Sequence, residues 1–230
     1  MAKIAIMGAM QEEVEPLLAY FDDIKITEYA DNRYYEVKYN DLELVIAYSK
    51  IGKVFASLTA STMITKFGCE KLLFSGVAGA INPSLKIGDL VVATKLCQHD
   101  LDITAFGHPF GYVPEGKVFV ESNLELIDIA REVAKAKGLN LLEGTIATGD
   151  QFVANETRKN WIGATFKADA LEMEGASVAV VCDALDVPFL ILRSISDSAD
   201  VDAGFSFDEF LQSSALRSAE FLIEIIKRLK

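Results

Sequence analysis

The run from 188 to 197, PFLILRSISD, constrains the fold more than any other stretch of the chain. Its apolar first half is too short for a typical helix and too apolar for a strand with a solvent-facing side, which indicates a parallel strand covered on both faces. The run then turns polar and carries Arg193 and Asp197 towards its carboxyl end. Because open α/β sheets bind ligands at the carboxyl ends of their strands, we expect a ligand site here. An internal ion pair, or a turn capped by Asp197, is the alternative.

The composition favours a single domain that assembles with itself. The 230 residues contain no stretch typical of a linker, so residues 1–230 are predicted to form one α/β domain. Hydrophobic residues make up 51% of the chain and the mean hydropathy is +0.25, which favours a homo-oligomer that buries apolar surface. The formal net charge of −12, without a long basic cluster, argues against binding to nucleic acid or to an anionic membrane.

The cysteines and the apolar segments indicate a cytoplasmic protein. Cys69, Cys97 and Cys182 are odd in number and far apart in apolar surroundings, so we expect buried, reduced thiols. The N-terminal KIAIMGAM passes directly into acidic QEEVE, which is typical of a first strand and not of a secretion signal. No segment approaches the ~20 apolar residues of a membrane span.

Strand-like and helix-like patterns alternate along the chain. Strands are predicted over residues 3–8, 33–39, 42–49, 71–75, 87–96, 144–149, 168–173 and 188–197. Helices are predicted over 11–20, in the second part of 49–68 with an end at Gly68, from a capping box at Ser122 and Glu125, after Gly175, and from a capping box at Ser206 and Glu209.

Acidic residues recur where these strands end. Glu13, Glu172, Glu174 and Asp197 are expected to converge with Arg193 at one edge of the sheet. Neither histidine accompanies a serine or cysteine nucleophile in this cluster, which argues against a catalytic triad. Acids that protonate a leaving group and hold a water suit cleavage at an acetal-like carbon through an oxocarbenium ion.

Two further features have alternative interpretations. Gly76 and Gly79 in GVAGA either let the backbone approach a ligand closely or form turns. The long aromatic loop after residue 97 contains potential metal ligands, but their spacing fits no common metal site, and neither a metal nor a cofactor is expected. Those potential ligands are His99, Asp100, Asp102 and His108.

Six motifs in order along the chain resemble one enzyme family. They are GAMQEEV, GVAGA, LDITAFG, TGDQF, LEMEGASVA, and LRSISDSAD followed by FSFDEF, and they extend from Gly8 to Phe210. With this set the chain resembles the methylthioadenosine/S-adenosylhomocysteine nucleosidases of the nucleoside phosphorylase superfamily. The resemblance implies a three-layer α/β sandwich around a mixed, partly barrel-like central sheet, and a homodimer. It also implies hydrolysis of the N-glycosidic bond of both nucleosides, which releases adenine.

The resemblance assigns catalytic roles to three residues. Asp197 would donate a proton to N7 of adenine, which requires a carboxyl pKa above the usual value of about 3.9. Glu13 would orient or deprotonate the attacking water with help from Arg193. A one-residue slip in the alignment would give this role to Glu12 instead. Val77 stands where many relatives have a serine near the water, so water positioning would depend more on Glu13 and Arg193.

The resemblance also implies a substrate pocket built from two subunits. Glu174 would accept hydrogen bonds from the ribose hydroxyls, Phe152 would stack on adenine, and Val153 would bind its edge through the backbone. The remaining expected pocket residues are Met10, Ile51, Val77, Ala78, Gly79, Glu172, Met173, Ser196 and Phe207. Ile103, Phe106 and Pro114 match positions that the family contributes from the neighbouring subunit.

Three alternatives remain open from the sequence. A purine nucleoside phosphorylase would use phosphate in place of water, although Glu13 would repel phosphate and GVAGA has no spare arginine nearby. Some relatives also cleave 6-amino-6-deoxyfutalosine in menaquinone biosynthesis, and the 5′ pocket does not exclude this substrate. A non-catalytic nucleoside-binding protein is the third alternative.

Overall fold

The structure is a computed structural model that describes residues 2–200 and 202–229. Over these residues the chain forms ten strands and six helices. The strands are β1 Ala2–Gly8, β2 Lys25–Tyr29, β3 Asn32–Tyr39, β4 Leu42–Tyr48, β5 Lys71–Ala80, β6 Leu90–Gln98, β7 Val120–Glu121, β8 Leu141–Thr148, β9 Ala170–Glu172 and β10 Phe189–Asp197. The helices are α1 Gln11–Leu18, α2 Lys53–Thr65, α3 Leu124–Lys137, α4 Glu156–Phe166, α5 Gly175–Ala184 and α6 Ala203–Ile226.

Half of the mixed sheet closes into a barrel. β5 pairs in parallel with β10, β10 antiparallel with β6, and β6 in parallel with β8. β8 then pairs in parallel with β9, and β9 antiparallel with β5, which completes a ring of five strands. The sheet continues beyond β5 as an open extension in the order β1, β4, β3, β2. This confirms the mixed, partly barrel-like sheet.

Helices cover the sheet on both sides. One apolar core contains Ala60 of α2 and Ala179 of α5 together with buried residues of β5 and β10. A second core contains Leu17 of α1, Val133 of α3 and Leu222 of α6 against the opposite face. Two helical layers with a sheet between them confirm the predicted three-layer sandwich.

The run that most constrained the fold is the central strand of the site. Every residue of β10 is buried. The strand is parallel to β5 along one edge but antiparallel to β6 along the other, so the prediction of a parallel strand is correct for one neighbour only. A register irregularity between Ile195 and Asp197 falls where the strand reaches the ligand site.

Several predicted element boundaries were wrong. The Ser122 capping box does not form, because Asn123 caps α3 by accepting a hydrogen bond from the backbone N–H of Leu126 at 3.1 Å. Ser206 lies inside α6, which begins three residues earlier, so the second capping box is also absent. At α3 the neighbouring asparagine takes the cap position in place of the serine, and at α6 the helix begins one turn ahead of the predicted cap.

The strand predictions also needed correction in places. Lys25–Tyr29 forms a strand, β2, that the sequence pattern did not predict. GVAGA continues β5 as extended strand, so the turn interpretation of its glycines is wrong. β9 ends at Glu172, and Glu174 is instead the residue that precedes α5.

Cys69, Cys97 and Cys182 are all buried free thiols, as expected. Burial raises the pKa of each thiol to about 12, so these side chains are unreactive at neutral pH. Within residues 2–200 and 202–229, none of the helices combines the length and apolar character needed to cross a bilayer.

Candidate active site

A cavity of about 290 Å³ lies at the carboxyl ends of β5, β9 and β10. Its lining contains every pocket residue that the sequence predicted for this subunit, together with Glu13 and Asp197. Arg193, the third predicted catalytic residue, is not part of the lining. The cavity is lined by Ala9, Met10, Glu13, Ile51, Val77, Ala78, Gly79, Gln151, Phe152, Val153, Leu171, Glu172, Met173, Glu174, Ser196, Asp197 and Phe207.

Glu13 is anchored at the start of α1 by three backbone amides. Its Oε2 accepts hydrogen bonds from the N–H groups of Ala9 at 2.6 Å and Met10 at 3.0 Å. Its Oε1 accepts one from Val77 at 3.0 Å. Burial raises the carboxyl pKa, and the charge of Arg193 and the three amides oppose that rise. Glu12 faces a different, shallow depression beside α6, so the structure places Glu13 in the cavity.

The two glycines of GVAGA make room for the two carboxyl groups. A Cβ atom on Gly76 would lie 2.6 Å from Oε1 of Glu13, and one on Gly79 would lie 2.7 Å from Oδ1 of Asp197. Both distances are shorter than any real contact of a Cβ atom. β5 therefore brings its backbone against both acids, and side chains at these positions would displace them.

Arg193 lies behind the cavity wall, paired with Glu172. Its Nη2 donates to Oε2 of Glu172 at 2.6 Å, and its Nη1 donates to the carbonyl oxygen of Phe74 at 3.2 Å. Glu172 also accepts from the N–H of Gly175 at 2.7 Å and from the hydroxyl of Thr148. This buried pair is saturated with hydrogen bonds, which is the condition under which a buried ion pair is tolerated. Arg193 consequently acts on the cavity through its charge and through Glu172.

Glu174 points into the cavity from the residue before α5. Its Oε1 accepts a hydrogen bond from the N–H of Gly52 at 2.8 Å, which ties it to the start of α2. Burial, followed by repulsion from Glu172, raises the pKa of this carboxyl to about 8. The raised pKa favours the protonated form of Glu174 relative to an exposed glutamate, and a protonated carboxyl group can both donate and accept hydrogen bonds.

Asp197 is the second buried acid beside β5. Its Oδ2 accepts from the hydroxyl of Ser196 at 2.9 Å, and its Oδ1 accepts from the N–H of Ala199 at 2.8 Å. Burial raises the pKa of the Asp197 carboxyl above its ordinary value, and the two hydrogen bonds oppose the rise. A raised pKa is what a carboxylic acid needs in order to carry a proton into the reaction.

Apolar side chains form the mouth of the cavity. The rings of Phe152 and Phe207 meet edge to face with centroids 5.5 Å apart. Phe152 and Ile51 are about half exposed, whereas Val153 is buried. Phe152 offers an aromatic face to the cavity, and exposed apolar side chains at a cavity mouth are typical of a surface that meets a ligand or another protein.

The long loop does not contribute to the cavity of its own chain. Ile103, Phe106 and Pro114 are absent from the lining, and the Phe106 side chain is 80% exposed. Asp100 is paired with Lys53, and His99 lies beside Arg158. Within the described part of the chain, no group of three histidine, cysteine or acidic side chains is arranged to hold a metal ion.

Four residues of the site were missed from the sequence: Ala9, Gln151 and Leu171 line the cavity, and Thr148 supports Glu172. Ala9 provides a backbone donor to Glu13, and Thr148 holds both Glu172 and the N–H of Ala176, which is 2.8 Å from its hydroxyl. Every residue type except proline has a backbone N–H donor, so the identity of Ala9 could not indicate its role. Thr148 begins the TGDQF motif, and a polar residue at a predicted strand end was an available signal.

Comparison with known proteins identifies the family. The sequence model of the phosphorylase superfamily matches residues 3–227. The chain belongs to this superfamily. Among superfamily members it is 56% identical over 229 residues to aminodeoxyfutalosine nucleosidase from Campylobacter jejuni, with 100% of both chains covered. It is 37% identical to 5′-methylthioadenosine/S-adenosylhomocysteine nucleosidase from Exiguobacterium sp., with 99% of both covered.

A solved structure of a superfamily member supports the same grouping. The chain superposes with a TM-score of 0.98 and 49% identity on a mutant of the Helicobacter pylori nucleosidase with 5′-methylthioadenosine in its active site, and 100% of both chains is covered. Together with the sequence relatives, this confirms the resemblance to the methylthioadenosine/S-adenosylhomocysteine nucleosidase family.

Proposed function

We propose that the chain hydrolyses the N-glycosidic bond of adenine nucleosides with a substituted 5′ carbon, and that the products are adenine and the corresponding sugar. The proposed substrates are 5′-methylthioadenosine, S-adenosylhomocysteine and 6-amino-6-deoxyfutalosine. The names of the relatives support all three. The single observation that carries the proposal is the pair of buried acids, Glu13 of α1 and Asp197 of β10, that line one cavity beside β5.

The arrangement of these acids suits direct attack by water. Glu13 and Asp197 each approach β5 at a glycine, and these glycines, Gly76 and Gly79, are three residues apart on the strand. Enzymes that activate a water on the face opposite the leaving group place the sugar and the water between two acids. We propose that water attacks the anomeric carbon directly, with Glu13 on one side of the sugar and Asp197 beside the leaving base.

The proposed steps use Asp197 as the general acid and Glu13 as the general base. Protonated Asp197 donates its proton to N7 of adenine, the bond from the anomeric carbon to N9 breaks, and the bonding electrons leave with the base. The sugar becomes oxocarbenium-like, and water attacks it while Glu13 accepts the proton of that water. Glu174 bonds the ribose hydroxyls, and Phe152 stacks on adenine.

The geometry disfavours a phosphorylase. Backbone N–H groups at the start of a helix are a common site for phosphate, and here those of Ala9 and Met10 are already bonded to Glu13. Arg193, the guanidinium beside Gly76, is bonded to Glu172. A phosphate at this end of the cavity would meet a carboxylate, and the described lining contains no lysine or arginine to balance their charges.

We further propose a cytoplasmic homodimer in which the loop with Ile103, Phe106 and Pro114 completes the 5′ pocket of the other subunit. Next to the cavity mouth, α2 exposes Val54, Phe55 and Leu58, and Val54 is 76% exposed. Exposed apolar side chains on one helix beside an open apolar rim are typical of an interface. Three buried free thiols support a reducing compartment.

The test is an incubation with each of the three nucleosides in phosphate-free buffer, followed by chromatography of the products. Release of adenine without phosphate is the expected result, and the three rates rank the substrates. Reaction only after phosphate is added would establish a phosphorylase, and tight binding without turnover would establish a nucleoside-binding protein.

A further inference from the structure

Three charged residues outside the cavity form a closed hydrogen-bonded ring. The N–H of Lys53 donates to Oδ1 of Asp150 at 2.8 Å, and the N–H of Asp150 donates to Oδ2 of Asp100 at 2.9 Å. The ring closes where Nζ of Lys53 donates to Oδ1 of Asp100 at 2.7 Å. We refer to Lys53, Asp100 and Asp150 as the clamp. Each member belongs to a different segment of the chain, so the clamp joins segments that the sequence keeps apart.

Two of these segments continue into walls of the cavity, and the third continues into the long loop. Lys53 begins α2, just after Ile51 at the cavity mouth and Gly52, which bonds Glu174. Asp150 directly precedes residues 151–153, which line the cavity where adenine is expected. Asp100 begins the loop that the dimer proposal places in the other subunit. None of the three clamp residues lines the cavity itself.

The clamp also provides a hydrogen-bond acceptor for the first N–H group of α2. The first N–H groups of a helix need acceptors, and the residue at the cap position, Gly52, has no side chain to provide one. Asp150 takes this role from a distant part of the chain. Gly52 has a φ of 100°, and a Cβ atom there would lie 3.1 Å from Oδ1 of Asp150, so glycine both allows the conformation and leaves room for the carboxylate.

The ion pair within the clamp is well shielded from water. The side chains of Lys53 and Asp100 are only 18% and 14% exposed. Nζ of Lys53 has a further acceptor in Oε1 of Gln98 at 3.1 Å. Hydrogen bonds between charged, shielded partners are stronger and more rigid than those of exposed ion pairs.

We propose that Lys53, Asp100 and Asp150 are positioning residues that hold the adenine loop and the start of α2 in the geometry that binds the nucleoside. This inference rests on the proposed function and adds residues to it that contact no substrate. The clamp makes no contact with Asp197 or Glu13, whose hydrogen bonds come from other segments. Losing it should therefore weaken substrate binding much more than it slows bond cleavage.

The experiment compares Asp100→Asn, Lys53→Met and the double variant with the wild-type protein. Losing one charged hydrogen bond predicts a KM for 5′-methylthioadenosine raised about tenfold, with kcat within about twofold of wild type. Because both changes break the same contact, the double variant should show no larger KM than the worse single variant. Lys53→Arg, which keeps the charge, should recover most of the affinity.

A second readout needs no turnover. Hydrogen–deuterium exchange in residues 149–155 and 51–56 should accelerate in Asp100→Asn, while exchange in β5 and β10 stays unchanged. The matched control is Asp183→Asn, which removes an acid paired with Lys117 at 2.8 Å on the surface, and which should leave KM and exchange unchanged.

Equal falls in kcat and kcat/KM, an unchanged KM, or uniform acceleration of exchange would each overturn the clamp as a positioning device. If the wild-type protein releases no adenine, the proposed function fails, and the exchange pattern still decides whether the clamp orders these two segments.

Discussion

Replacement of Gly76 by alanine tests whether the position of the Glu13 carboxylate determines the rate. The new Cβ atom would lie 2.6 Å from Oε1 of Glu13 and 3.3 Å from Nη1 of Arg193. Ordinary contact begins near 3.4 Å, so the carboxylate must retreat by about 0.8 Å. The nearest hydrogen bond to be lost or lengthened is the one from the N–H of Val77, now 3.0 Å.

The size of the effect follows from that hydrogen bond. A hydrogen bond to a charged group contributes about 1.5–3 kcal/mol, which corresponds to a fall in kcat/KM of roughly 10- to 150-fold if all of it is lost at the transition state. Overpacking of the buried strand should lower the free energy of unfolding by about 1–3 kcal/mol.

The assay is adenine release at several nucleoside concentrations, with urea unfolding measured on the same samples. Gly204→Ala is the control, because none of the described residues lies within 4 Å of a Cβ atom at this helical position. It should keep full activity and gain about 0.5–1 kcal/mol of stability. A Gly76→Ala variant that folds and retains wild-type kcat/KM would refute the role given to the Glu13 position.

Three other predictions concern the acids and the rim. Asp197→Asn should lower kcat by about 10²- to 10⁴-fold, the usual contribution of a general acid, while urea unfolding at pH 7 shows no loss of stability because burial already disfavours the charged form. Near-normal turnover by this variant would contradict the assignment. Glu174 has a folded-state pKa raised from 4.5 to about 8, so its contribution to stability should fall as pH rises between these values and level off above about pH 8. Unfolding free energies from pH 5 to 9 should show this decline relative to Glu174→Gln, and parallel curves would refute it. Phe152→Ala should raise KM, because the loss of stacking weakens the binding free energy of the nucleoside by ~1–3 kcal/mol. The free energy of unfolding should change little, because the ring is half exposed. Kinetics with 5′-methylthioadenosine measure the change, and an unchanged KM would rule out stacking.

The sequence predicted most strands because their apolar runs are long and distinctive. β10, β3 and β4 were found nearly to the residue, and β5 was found at its start. Helix starts were predicted less well. Asn123 is the cap of α3 in place of Ser122, and α6 begins ahead of Ser206, because neighbouring polar residues offer competing caps that differ by no more than about 1 kcal/mol.

The residues of the cavity were predicted mainly through six motifs in family order, and less through local chemistry. Residue type and strand position alone indicated a cluster of acids and a class of reaction. They left Glu12 and Glu13 indistinguishable, because neighbouring residues at a helix start differ only in the direction of their side chains. The fold decided between them by turning Glu13 towards the amides of Ala9 and Val77.

By itself the sequence determined the apolar strands, the acids at their ends and the family to which the chain belongs. Only the tertiary structure decided that Arg193 pairs with Glu172 behind the cavity, that Gly76 and Gly79 make room for the two acids, and that the clamp joins three distant segments. The physical reason is that burial, pKa shifts and backbone hydrogen bonds depend on tertiary contacts between distant segments. Local residue patterns do not specify those contacts.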